Sequence, residues 1–238
     1  MFLEKNGILF HESWEEFVVK NLDLIESILR QVDKDSTLPE RDKILKCLET
    51  NVNNVKICIS GMDAYPTRGV STGKSFQVGN VKSWNQKFRQ TSLRNILRLL
   101  YKTKNKISNY EEIPKFLSIV KEIEDGVFKI QDPFNLFESW WNQGVLLYNV
   151  SLTVEEGKPG SHSEIWMPFS KALYQYLGEK NPNIYYFLWG KDAQSFEPFI
   201  TSNNIIKSRH PMMCSVKYDD DFLKSDCFLK TADMIEWY

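Results

Sequence analysis

Hydrophobic residues along this chain follow two spacings: the three- and four-residue steps of amphipathic helices, and short unbroken runs suited to buried strands. Trp14, Phe17, Val18, Leu22, Ile25, Ile28 and Leu29 step at helical intervals and predict a helix over 13–31, opened by Ser13 and Glu16 as a capping-box pair. A shorter helix is expected over 41–49 through Ile44, Leu45 and Leu48, and 51–54 then turns the chain. Val55, Ile57, Cys58 and Ile59 form the first strand, which stops at Gly61 and places Asp63 and Tyr65 in a turn just beyond it. Helices are predicted over 92–101, 114–123 and 167–177, with loops around Asp125, Gly126 and 132–135. Strands are predicted over 144–150, 183–189 and, more weakly, 205–208. Phe222, Leu223, Phe228, Ile235 and Trp237 are expected to close the core as a helix and tail.

Strands separated by helical stretches imply right-handed crossovers, hence an α/β fold with a central four-stranded, mainly parallel sheet flanked by helices. Open sheets of this kind collect their chemistry where the strands end. That rule alone brings Asp63, Tyr65, Asn149 and His210 together, although they are far apart in sequence. A carboxylate, an amide and an imidazole suffice for a hydrolytic or lyase site on a planar ligand, and are too few to bind a metal.

Composition narrows the class. With 238 residues, 42% of them hydrophobic, the chain supports one substantial core, and we expect a single domain over 1–238. The net charge of -1 neither favours nor excludes nucleic acid, because a binding face needs only a local excess of cations. Cys47, Cys58, Cys214 and Cys227 have no metal-ligand spacing and read as reduced, which implies an intracellular protein. No apolar stretch is long enough to span a bilayer, and MFLEKNGILF has no signal-peptide core, so the expectation is a soluble, unprocessed chain.

Several stretches have ordinary explanations. Asp63 taken alone also suits a helix cap, His210 a loop carbonyl, and Asn149 a turn after its strand. TRGVSTGKSF lacks the GxxxxGK[ST] spacing of a phosphate-binding loop and reads as a mobile surface loop. Lys102, Lys104 and Lys106 read as a solvated helix end.

In combination these blocks resemble the family 1 uracil-DNA glycosylases. GMDAYP at 61–66 is similar to the water-activating GQDPYH motif, and more so to its poxvirus versions, which also end in proline. QGVLLYNVSLTVEEGKPGSH at 143–162, IYYFLWGKDAQ at 184–194 and RHP at 209–211 follow in the family's order. Phe76 falls at the family's base-stacking phenylalanine, and SLRNI at 92–96 at its serine-bearing loop and helix. The likeness runs from the first helix to the final IEW.

The resemblance implies an enzyme that flips uracil out of DNA and hydrolyses its bond to deoxyribose without metal or cofactor. Asp63 and His210 would be catalytic; Phe76 would stack on the base, Asn149 would read its edge, Tyr65 would exclude a 5-methyl group, and Met62 would offer its backbone N–H. Ser92, Ser161, His162, Pro211, Met212, Met213 and Ser215 would face DNA. The implied partners are uracil-containing DNA, single- or double-stranded, and a proteinaceous inhibitor or replication protein, with no membrane and a monomeric chain. The chain departs from the family where an intercalating leucine is expected, since Met212, Met213, Cys214 and Ser215 stand there. It also departs at Met62 and Ala64, at KFRQT before Ser92, and in a longer connection over 102–137 that offers room for a partner surface. Two further readings stay open: a DNA-binding or processivity subunit on the same fold with dispensable activity, and a glycosylase for another modified pyrimidine.

Overall fold

The computed structural model describes residues 8–32 and 34–238; the beginning of the N-terminal segment discussed above lies outside them. Its centre is a four-stranded parallel sheet built from β2 (Ile57–Asp63), β3 (Val145–Ser151), β5 (Tyr185–Trp189) and β6 (Ile205–Ser208), in the order β3-β2-β5-β6. A two-stranded antiparallel ribbon, β1 (Thr37–Leu38) with β4 (Val154–Glu155), lies apart from it. The helices are α1 (Glu15–Lys20), α2 (Leu22–Gln31), α3 (Thr91–Lys104), α4 (Phe116–Glu124), α5 (Pro133–Asn142), α6 (Ser163–Lys180), α7 (Lys191–Gln194) and α8 (Cys227–Lys230).

Side chains alternate across the sheet, as strand geometry requires. Ile57, Ile59, Leu147, Phe187 and Trp189 join the core beneath α3, which contributes Leu93, Ile96, Leu97 and Leu100. Cys58, Leu146, Tyr148, Tyr186 and Leu188 face the opposite cluster, with Phe17, Ile25 and Ile28 and with Trp166, Phe169 and Leu173 of α6. Both faces are therefore covered, which is why these strands read as continuous apolar runs. The register pairs Gly61 with Asn149 and Trp189 with Ser208, so Asp63, Asn149 and the turn at His210 emerge at one edge.

Local departures from the predicted elements have identifiable causes. The helix over 13–31 is broken at Asn21, whose side chain donates to the Phe17 carbonyl at 2.8 Å and diverts the backbone from the next helical turn. Ser13 does not cap it: its Oγ accepts the Val52 N–H at 3.0 Å, and the Ser13 N–H is accepted by His11 Nδ1. The 41–49 segment buries Ile44, Leu45 and Leu48 as expected, but as two 3₁₀ turns rather than an α-helix. The 132–135 stretch is the start of α5, with Pro133 at the first helical position, where its missing N–H costs nothing. The predicted surface loop over 67–76 is anchored in the protein, with Lys74, Ser75 and Phe76 buried. In the basic run at the end of α3, Lys102 is half-buried and donates to the Ser225 carbonyl, whereas Lys104, lying over the Tyr238 ring, and Lys106 stay exposed.

Candidate active site

β2 continues through Gly61 and ends on Asp63, two residues beyond the expected stop, so Asp63 closes the strand rather than standing in the turn after it. A cavity of about 270 Å³ opens there, and Met62, Asp63, Tyr65, Phe76, Ser92, Asn149, His210 and Met212 all contribute to its wall. Gly61 makes the arrangement possible. A Cβ at that position would stand 2.7 Å from Asn149 Oδ1 and 3.2 Å from the Phe76 ring, so any larger residue would push the Asn149 amide and the Phe76 ring aside. The Asn149 side chain, 5% exposed, has no hydrogen-bond partner among the described residues, and both its donor and its acceptor are available to a ligand.

The two ionisable groups are tuned in opposite senses. Burial raises the Asp63 carboxyl above its ordinary range; the Gly160 N–H, donating to Oδ2 at 2.7 Å, partly offsets this, and the Asp192 charge adds to it. Burial lowers the His210 imidazole, with Asp192 opposing. The Met212 N–H donates to His210 Nδ1 at 3.2 Å, which leaves the proton of the neutral ring on Nε2. Gly190, at φ +100°, lets the end of β5 pass close to this histidine; a Cβ there would lie 3.1 Å from His210 Cβ.

Phe76 is held in an unusual backbone state. It is a non-glycine residue at φ +62°, and the Gln77 N–H donates across it to the Ser75 carbonyl at 2.8 Å, closing a tight turn that side-chain sterics disfavour. The turn is pinned on every side. Ser75 Oγ donates to the Ile59 carbonyl, its N–H to the Leu147 carbonyl, and the Tyr65 hydroxyl to the Phe76 carbonyl at 3.3 Å. Beyond it, Lys74 Nζ and Gln77 Nε2 both donate to Glu138 Oε1, at 2.7 and 2.6 Å. The ring is thereby fixed 5.0 Å from Trp189 and 5.7 Å from His210. Neither Gly160, Glu138 nor the Lys74–Gln77 pair was identifiable from spacing, because their partners are distant in the chain.

The remaining expected contacts divide. Met212 and Met213 project at the mouth, 58% and 57% exposed. Cys214 turns inward onto the Pro211 carbonyl, and burial raises its thiol to about 12. Ser161 is exposed and its Oγ accepts the Glu155 N–H, whereas His162 is buried and bonded through Nδ1 to Thr153 Oγ1 at 2.9 Å. The Ser215 N–H donates to Asp221, and the Pro211 carbonyl accepts from Asn95. The Met62 methyl lies against Gly160, and Ala64 packs with Leu38 and Val154.

No family model matches the chain. Curated relatives named uracil-DNA glycosylase do. The protein of Dictyostelium discoideum is 30% identical over 210 residues, 84% of this chain, which spans about half (53%) of that longer relative. The Azobacteroides pseudotrichonymphae protein is 27% identical over 240 residues, covering 97% of this chain and 96% of its own. Among solved structures, the uracil-DNA glycosylase (UNG) of Nitratifractor salsuginis superposes with a TM-score of 0.66 at 21% identity, covering 89% of this chain and 87% of that one. A mimivirus UNG variant in complex with UGI gives 0.69 at 20% identity, covering 96% and 89%. The chain thus has the uracil-DNA glycosylase fold and is related over nearly its whole length to proteins of that name.

Proposed function

We propose that this protein is a uracil-DNA glycosylase of the family 1 type, hydrolysing the bond between uracil and deoxyribose in DNA and leaving an abasic site. The observation that carries the proposal is the pairing, across one cavity, of an ionisable Asp63 with a neutral His210 whose Nε2 holds the proton. When the C1′–N1 bond breaks, the sugar becomes cationic and uracil leaves as an anion, so the site must meet opposite charges at two places. Asp63 stabilises the cation and orients the attacking water, and His210 Nε2–H donates to the developing charge on uracil O2. Phe76 stacks on the base, Asn149 reads O4 and N3, and Tyr65 fills the space of a 5-methyl group. Met62 and Ala64, the two departures from the motif, also line the cavity, with the Met62 methyl against Gly160 and Ala64 packed on Leu38 and Val154. The presence of both Asp63 and His210 in the cavity wall favours an enzyme over a binding subunit.

The test is incubation with a single-stranded oligonucleotide carrying one uracil. Free uracil and an alkali-labile strand are expected, with no release from cytosine or thymine controls; an intact strand would overturn the proposal.

Two further expectations concern the clamp behind Phe76 and the loop at the cavity mouth. Glu138→Gln strips the charge that neutralises buried Lys74 and loosens the Phe76 turn; uracil release is expected to fall about 10- to 100-fold, with weaker inhibition by free uracil. Unchanged inhibition would show that Phe76 is held without the clamp. The apolar tip at the cavity mouth consists of Met212 and Met213, since Cys214 faces inward, so Met212→Ala/Met213→Ala should slow release from U·A pairs more than from single strands. Single-turnover cleavage of the two substrates measures this, and an equal effect on both would place the wedge elsewhere.

A further inference from the structure

A second, larger depression, about 730 Å³, lies between the turn at 84–88 and α4, away from the catalytic pair. Asn85 donates to Glu124 at 2.8 Å across one end, and Phe88 meets Phe116 edge-on at 5.5 Å across the floor. Its lining carries Lys87, Arg94, Lys115 and Lys121 against the single carboxylate of Glu124. Among the described residues none of the three lysines is paired with an acid. Arg94 is drawn over both phenyl rings, 5.2 and 5.5 Å from their centroids, and bonds the Phe88 carbonyl, while its Nε is buried without a partner. Leu117, 77% exposed, stands on the rim.

A cationic trough with aromatic walls and an exposed apolar edge suits one class of polymer: a nucleic-acid strand, whose phosphates meet the lysines while bases or sugars lie on the apolar surface. Position supports this. Phe88 and Ser92 are four residues apart, so the floor of the trough is no more than about 14 Å of extended chain from the cavity wall. We propose that this trough is a second DNA subsite, holding the strand that continues from the nucleotide in the cavity. The proposal rests on the glycosylase reading for the identity of the strand. It assigns a role to the 102–137 connection, because α4 and its N-cap residue Lys115 supply one wall, with Phe116, Leu117 and Lys121 from the helix itself.

The experiment is fluorescence-anisotropy binding of a uracil-free single-stranded oligonucleotide, alongside uracil release from a trinucleotide too short to reach the trough. For Lys115→Glu/Lys121→Glu, both exposed, affinity for the long strand should fall about 10-fold or more. The slope of log affinity against log salt should become shallower by about one to two, and trinucleotide turnover should stay at the unmodified level. Leu117→Ala should lower affinity without changing that slope. Unchanged long-strand affinity in the charge-reversal variant would overturn the subsite and leave the trough to another partner, such as an acidic protein. Binding does not require cleavage, so it decides the subsite even if the trinucleotide is left intact by the unmodified protein, an outcome that would count against the glycosylase reading instead.

Discussion

Asp63→Asn is expected to reduce uracil release about 100-fold or more and, at the same time, to raise the melting temperature at pH 7. The two effects share a cause. Asp63 is buried enough that its folded-state pKa lies above the unfolded value, so the fold favours the protonated acid and loses stability as pH rises through that pKa and the charge appears. In the proposed function, catalysis needs the charged form. Asparagine keeps an acceptor for the Gly160 N–H and removes the buried charge, gaining stability while losing the group that supports the cationic sugar. His210→Leu should lower the rate comparably, by removing the donor to uracil O2. The pH profile follows from the same shifts. His210, depressed below 6.5, is already neutral at neutral pH, and the rate should be flat there. It should fall on the acid side as Asp63 takes up its proton, at a pH above the usual carboxylate range. Thermal melts and single-turnover rates across pH check both statements; a destabilised Asp63→Asn, or a rate that climbs as pH falls, would contradict them.

Tyr65→Ala and Asn149→Asp should change which base is released. Tyr65 donates to the Phe76 carbonyl, and in the proposed function this held ring excludes thymine by a clash with its 5-methyl group. Removing the ring should make thymine release measurable while uracil release drops roughly 10-fold through lost packing. Asn149→Asp replaces an amide donor with an acceptor and should admit cytosine, whose amino group needs one. Gly61→Ala, which displaces the Asn149 amide and the Phe76 ring together, should instead lower uracil release without admitting either base. Oligonucleotides carrying uracil, cytosine or thymine at one position distinguish these outcomes.

The sheet was legible because its strands are buried on both faces and therefore stand out as apolar runs, and the parallel order followed from the helices between them. Asp63, Asn149 and His210 could be grouped from strand ends alone. Phe76 could not: its position came from resemblance, and its left-handed backbone depends on partners such as Glu138, 62 residues away in the chain. The break at Asn21 was hidden because the apolar period runs through it unchanged. The inward turn of Cys214 was equally invisible, since loop direction is set by bonds to Asn95 and Asp221 rather than by local pattern.

The central claim is that one cavity divides the charge of glycosidic cleavage between Asp63 and His210. Its most direct test is single-turnover release of uracil from a single-stranded oligonucleotide by the unmodified protein and by Asp63→Asn, because a single strand needs no duplex opening and isolates the chemical step. Free uracil and an abasic strand from the first, slowed about 100-fold or more in the second, is the predicted result. An intact strand with the unmodified protein, or an undiminished rate in Asp63→Asn, would contradict the account.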